Sequence, residues 1–295
     1  MPLQSLIEYF NDRFIMEHRS SLKPFIFKNG RVNAVFGTIK IDSSFLPVRT
    51  LANPTDIIGH IAKVDVSSYP LQHLQDDEIN NLLDCQDHQV TVMESIINFD
   101  RLCRTVHMLN YLVFPSSHSN YYLFLDVDPR HVLGIKKDHG VYFEEVIKKC
   151  GLETNQVIIC LSIHKNYINF YDRIIFGLTN YRQQGYKILV HVDSSLIHRS
   201  EIGIIAKIKP DYVALSGRTF FDMEDYIKHT IDLEDWQTTL NAIGVKTILK
   251  QVDHKKMDTF ARHNHFDFVE GNYYRSIPSD DRKNICISSD LLLLR

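Results

Sequence analysis

Asp126, Asp193 and Glu270 each follow a run of mostly apolar residues, Tyr121–Leu125, Ile188–Val192 and Phe266–Val269. Carboxylates gathered at the ends of successive strands can do two kinds of work. They can hold a hard divalent cation through several oxygens, or they can cap following helices and bind backbone amides. Lys250 ends another such run, Val245–Leu249, where it is placed to form a buried ion pair with Glu270. Cys160 stands inside Val157–Ile163 and would need His164 or His191 as a base to act as a nucleophile. A free cysteine in an apolar run is more often an inert core residue. His88 and His107 have no partner at metal-ligand spacing and read as surface or core polar groups.

These side chains depend on strands and helices to position them. Lys187–Val192 alternates apolar residues with period two and is punctuated by Asp193-Ser194-Ser195. A helix-length segment from Ile197 to Lys207 follows, Pro210 closes it, and Asp211–Leu215 forms a second strand. A strand–helix–strand unit of this kind predicts parallel strands, with its chemistry at their carboxyl ends. Further strands are expected around Pro24–Phe27, Val32–Ile41, Phe45–Val48, Ile57–Asp65, Tyr121–Val127, Val157–Ile163 and Val245–Val252, with a hairpin turn at Asn29-Gly30. Helical spacing marks residues 4–19, 71–114, 140–149, 170–184 and 236–243, several of them stopped by glycine. Leu291–Leu294 suggests a last packed strand or helix.

Composition narrows the function classes. The chain has 295 residues, 44% of them hydrophobic and 23% charged, enough for one large domain with a substantial core. A net charge of −3 gives no basic surface for a nucleic-acid polymer. No apolar run approaches the roughly 20 residues that span a bilayer, and Met1-Pro2-Leu3-Gln4 has no basic signal start, so the expectation is a cytoplasmic protein. The five cysteines, Cys85, Cys103, Cys150, Cys160 and Cys286, show no C-x-x-C spacing and read as reduced thiols.

One arrangement is more specific. Val192-Asp193-Ser194-Ser195, then Lys209–Leu215, then Arg218-Thr219-Phe220 resemble the order strand, D-D-F-G-T-G, helix, L-P-V-D-x-L-K-I-D-x-S-F of the EAL family of cyclic di-GMP phosphodiesterases. In the same order, Phe45–Val48 resembles the family's first strand and Ile57–Asp65 its I-x-G-x-E-A-L-x-R segment. Leu125–Arg130 overlies V-N-L-S-P, Val157–Ile163 overlies L-E-I-T-E, Val245–Asp253 overlies V-I-A-E-G-V-E, and His265–Tyr274 overlies G-x-D-x-x-Q-G-Y-Y-F. Asn98–Arg101 resembles the start of a family helix.

The resemblance implies an α/β protein, a (β/α)8 TIM-like barrel of EAL type over residues 42–280. An N-terminal extension, 1–41, precedes it and a tail, 281–295, packs on it. The family's metal-ligand positions fall on Ile61, Asp126, Cys160, Asp193 and Ser194. Ala214 replaces the catalytic Lys, Lys250 a Glu, Glu270 the Gln, and Asp65 the first-motif Arg. The frame is kept while the polar chemistry is mostly replaced. This implies no catalytic residue, no cofactor and no metal: a catalytically inactive regulatory protein acting through protein–protein interaction in bacterial signalling. The alternative is a non-hydrolysing cyclic di-GMP receptor using Asp126, Arg130, Asp193, Arg218 and Glu270, and the third is an active phosphodiesterase with an unusual site. A second copy of the chain, paired through Leu196–Lys207, is a further expected partner.

Overall fold

The structure, a computed structural model, describes residues 2–18, 23–36, 39–68, 89–114, 121–135, 140–192, 199–218, 233 and 236–278. Asp193, Ser194, Cys85, Cys286, His88, the 281–295 tail and the first residues of Leu196–Lys207 lie outside the described residues.

Branched residues on both faces of a strand call for cover on both sides, and a barrel supplies it. Val157, Ile159, Leu161 and Ile163 of β6 (Val157–Ile163) join the core under the helices, while Ile158 and Cys160 of the same strand point into the barrel. The other strands are β1 (Phe25–Lys28), β2 (Arg31–Phe36), β3 (Ile39–Thr50), β4 (Ile57–Ser68), β5 (Tyr122–Val127), β7 (Lys187–Val192), β8 (Tyr212–Ser216), β9 (Lys246–Lys250) and β10 (Phe268–Val269). From β4 to β10 neighbouring strands run parallel. β3 closes the eight-stranded ring antiparallel to both ends, with Leu46 opposite Ile61 on β4 and Arg49 opposite Val269 on β10. Val48, Ile61, Phe124, Ile158, Leu189, Ala214 and Ile248 fill the interior, which is therefore a packed layer and not a pore.

The helices are α1 (Leu3–His18), α2 (Gln89–Leu112), α3 (Pro129–Gly134), α4 (Val141–Lys149), α5 (Tyr171–Gln183), α6 (Arg199–Ile208) and α7 (Lys255–His263). Residues 236–242 are also helical. Two expectations change. Asn98–Arg101 lies well inside α2, which is already running at Gln89, so it does not start a helix. The apolar run Val32–Ile41 divides between two antiparallel strands, β2 and β3. No helix among the described residues is long and apolar enough to cross a membrane.

The N-terminal residues share the main core. Leu6, Ile7 and Phe10 of α1 are buried with the residues outside the barrel wall, and the Asn11 side chain both donates to and accepts from the Phe25 backbone at 2.9 Å. β1 and β2 turn through Asn29 and Gly30 at φ of 54° and 77°, the left-handed pair that a two-residue hairpin requires. On the outer side Tyr9 donates its hydroxyl hydrogen to Glu145 of α4, and Arg13 pairs with Glu145 at 2.7 Å. Tyr9→Phe should lower the unfolding free energy by about 1 kcal/mol. An unchanged urea midpoint would show that the apolar face of α1 holds it alone.

Candidate functional site at the barrel mouth

Inward side chains alternate along a strand, so the residue two beyond each interior apolar position reaches the carboxyl-end rim. Lys63 follows Ile61, Asp126 follows Phe124, His191 follows Leu189, Ser216 follows Ala214 and Lys250 follows Ile248. Cys160 stands beside Asp126 in the β5–β6 register but packs with the interior apolar layer, 2% exposed, with its Sγ directed at the Ile158 carbonyl 3.6 Å away. Asp126 is the centre of the rim. Lys63 Nζ lies 3.5 Å from its Oδ2, and His191 donates Nε2–H to its Oδ1 at 3.2 Å. Beside it opens a cleft of about 610 Å³ whose lining includes Lys63, Asp126, Arg130, Ser162, His164 and Tyr167.

The charges follow from this packing. Neighbouring protein atoms partly dry Asp126 and disfavour its charge although the side chain is 47% exposed, but Lys63, His191 and Lys250 outweigh this and hold the carboxyl well below the usual range. Burial first, and Lys250 next, bring His191 down to about 4, so the imidazole is neutral at pH 7. Lys250 is itself lowered, by burial and then by repulsion from Lys63. Burial pushes the Cys160 thiol well up.

Some sequence expectations change here, and the other residues that the sequence singled out find their places. Asp126 caps no helix; that work falls to Asp128, which accepts the Arg130 N–H at 2.8 Å as the cap of α3. Glu270, 6% exposed, makes no ion pair with Lys250 because its carboxylate turns to the Gln251 N–H at 3.3 Å. Arg130 is held by Asp128 through Nε at 3.0 Å and Nη2 at 2.8 Å, and Arg218 is held by Asp253 at 2.8 Å. Both guanidinium groups named for a phosphate therefore already have carboxylate partners. Cys160 has no hydrogen bond to His191 or His164 and almost no exposure, so it is not set up as a nucleophile.

The backbone of the resembled motifs survives the side-chain changes. Gln251 takes φ of 58° where the resembled V-I-A-E-G-V-E has its glycine. Gly271 keeps its motif position under a close approach: a Cβ there would lie 2.2 Å from the Val252 oxygen and 2.3 Å from its nitrogen.

The metal chemistry implied by the resemblance uses hard ions such as Mg²⁺ or Mn²⁺, which need several oxygen donors. Among the described residues at those positions, Asp126 alone offers an accessible carboxylate. Ile61 and Ala214 are 1% exposed inside the apolar interior, Cys160 is a thiol, and Lys250 is an amine. This donor set does not fit a hard divalent ion.

No protein-family model matches the sequence, and no curated protein matches it. Solved structures do. The EAL domain of Xanthomonas citri FimX, in complex with cyclic di-GMP, superposes with a TM-score of 0.64 at 10% identity over 92% of this chain and 92% of that one. The fold is that of an EAL domain. Bacillus subtilis YkuI, a protein with an EAL domain solved with cyclic di-GMP and calcium, matches with a TM-score of 0.61 at 18% identity over 81% of this chain. The chain spans about half the length of YkuI, 55% of it. At these identities the likeness carries the EAL barrel, and the work this chain does rests on its own mouth.

Sequence reading missed a second polar centre just outside the wall. Asp100 of α2 pairs with Arg104 one turn on and with His131 Nδ1 of α3 at 2.8 Å. Arg104 lies 3.6 Å over the Phe143 ring and 3.4 Å from the Tyr181 hydroxyl. Burial opposes the Asp100 charge, yet Arg104 and His131 bring its carboxyl down to about 2. An acid and a base four residues apart on an otherwise apolar helix face were the available signal.

Proposed function

We propose that this protein is a catalytically inactive EAL-fold regulator that acts by binding another protein in bacterial cyclic di-GMP signalling. One observation carries the reading: among the described residues at the resembled metal positions, the barrel mouth presents Asp126 as the one accessible carboxylate, with Lys63 and Lys250 around it, over a floor that includes Ile61 and Ala214. Amines and alkyl groups supply none of the oxygen donors that a hard ion such as Mg²⁺ or Mn²⁺ needs for phosphodiester chemistry. Self-association through α6 is part of the proposal. Ile205 and Ile208 face the chain's own core, which leaves Gly203, Ala206 and Lys207 outward.

The test is incubation with cyclic di-GMP and Mg²⁺ or Mn²⁺, with separation of products. No linear pGpG above the protein-free blank is expected, and metal-dependent pGpG would overturn the reading. The cleft beside Lys63 favours one second reading, a receptor that binds cyclic di-GMP without cutting it. Saturable heat in calorimetric titration without turnover would select that receptor.

A further inference from the structure

Three different donor atoms converge in the mouth. A carboxylate oxygen of Asp126, the sulfur of Cys160 and an imidazole nitrogen of His191 all lie within 4.8 Å of one another. They come from three adjacent strands, β5, β6 and β7, whose register sets Asp126 beside Cys160 and His191 beside Ser162. Neighbouring strands of a closed barrel fix such a group more firmly than a loop does.

We propose that Asp126, Cys160 and His191 form a binding site for a borderline-soft divalent ion of the zinc type, with three protein donors and one open coordination position. The inference stands apart from the regulator reading and from the hard ions that the resemblance implies. One oxygen, one nitrogen and one sulfur make a poor set for Mg²⁺ or Mn²⁺ and a fitting one for Zn²⁺. Bonds of about 2.0–2.3 Å at tetrahedral angles put donors about 3.3–3.8 Å apart. The His191 Nε2 to Asp126 Oδ1 distance is already 3.2 Å, and closing the group asks the Cys160 sulfur, within 4.8 Å of both, to turn from the Ile158 carbonyl toward them.

The surrounding charges allow it. The ion takes the place of the His191 Nε2 proton, which shifts to Nδ1, and the thiol proton of Cys160 leaves to solvent. Lys63 contacts Oδ2 of Asp126 and leaves Oδ1 for the ion, the arrangement of an outer partner that orients a ligating carboxylate. Lys250 repels the ion, and the thiolate of Cys160 would be formed by the bound ion itself. The two anionic ligands offset the two charges of the ion.

Cobalt(II) is the probe, added to full-length protein that has been stripped with a chelator. One equivalent should give visible bands of tetrahedral intensity together with a thiolate-to-cobalt charge-transfer band. Zn²⁺ should bleach both bands, and excess Mg²⁺ should leave them. Cys160→Ser should abolish the charge-transfer band while Cys103→Ser retains it. His191→Gln, at the half-buried rim and with its folding checked by circular dichroism, should weaken cobalt affinity at least about 100-fold. No charge-transfer band in the parent protein, a band that survives Cys160→Ser, or an unchanged affinity in His191→Gln would each overturn the proposal. If Cys160→Ser does not fold, the His191→Gln titration decides alone.

Discussion

Replacing Arg104 with methionine is expected to cost about 3–5 kcal/mol of unfolding free energy, because it strips the guanidinium from a carboxylate that is almost wholly buried. Asp100 is 8% exposed and Arg104 1%. Their attraction is offset in the folded protein by the cost of drying both groups, so the pair itself adds little net stability. The loss comes from leaving one charge behind. It follows that Arg104→Met combined with Asp100→Leu should recover most of the loss of the single variant, because the double variant buries no net charge. Urea unfolding of the single and double variants measures this directly. A single variant within about 1 kcal/mol of the parent, or a double variant as damaged as the single, would refute the account.

Acidification should weaken the fold through His107. The residue is 3% exposed, its Nδ1 lies 2.7 Å from the Ser43 hydroxyl, and burial, opposed by the smaller effect of Asp126 and helped by Lys63, brings it from 6.5 down to about 4. Between those two values the unfolded chain takes up a proton that the folded chain refuses. Stability is therefore intact above pH 6.5, falls as pH drops through the window, and has lost its full share by about pH 4. The share is about 3 kcal/mol. His131 is lowered as well and adds loss of the same sign. Thermal unfolding midpoints from pH 7 to pH 4 should fall more steeply for the parent than for His107→Gln. Parallel curves for the two proteins would remove His107 from the explanation.

The barrel was legible because its strands announce themselves. Val157–Ile163 and Lys187–Val192 are continuous or alternating branched runs bounded by turns, and the resembled motifs fixed their order. Rim positions followed from period two once the strands were placed, which is why Asp126, Cys160 and Lys250 fell near one another as expected. What side chains do with their polar ends was not legible. Glu270 and Lys250 occupy neighbouring strands, yet the carboxylate prefers a backbone N–H, a choice of rotamer that spacing does not encode. Arg130 and Arg218 looked available because their carboxylate partners are visible only in three dimensions for Asp253 and look like a simple cap for Asp128. The Asp100 centre escaped for a similar reason: its third member, His131, arrives from another helix.

The antiparallel placement of β3 has a consequence for how the chain is made. β3 and β4 are joined by a short turn and can zip together as soon as both have left the ribosome. The other edge of β3 must wait for β10, and the Arg49 guanidinium, held by the Ile277 carbonyl, waits across 228 positions of sequence. No nascent fragment that stops short of β10 can close the ring. Until then the edge at Arg49 and Thr50 offers unpaired backbone groups, and this hairpin, finished before the rest of the ring, is a segment that a chaperone or a neighbouring chain would meet.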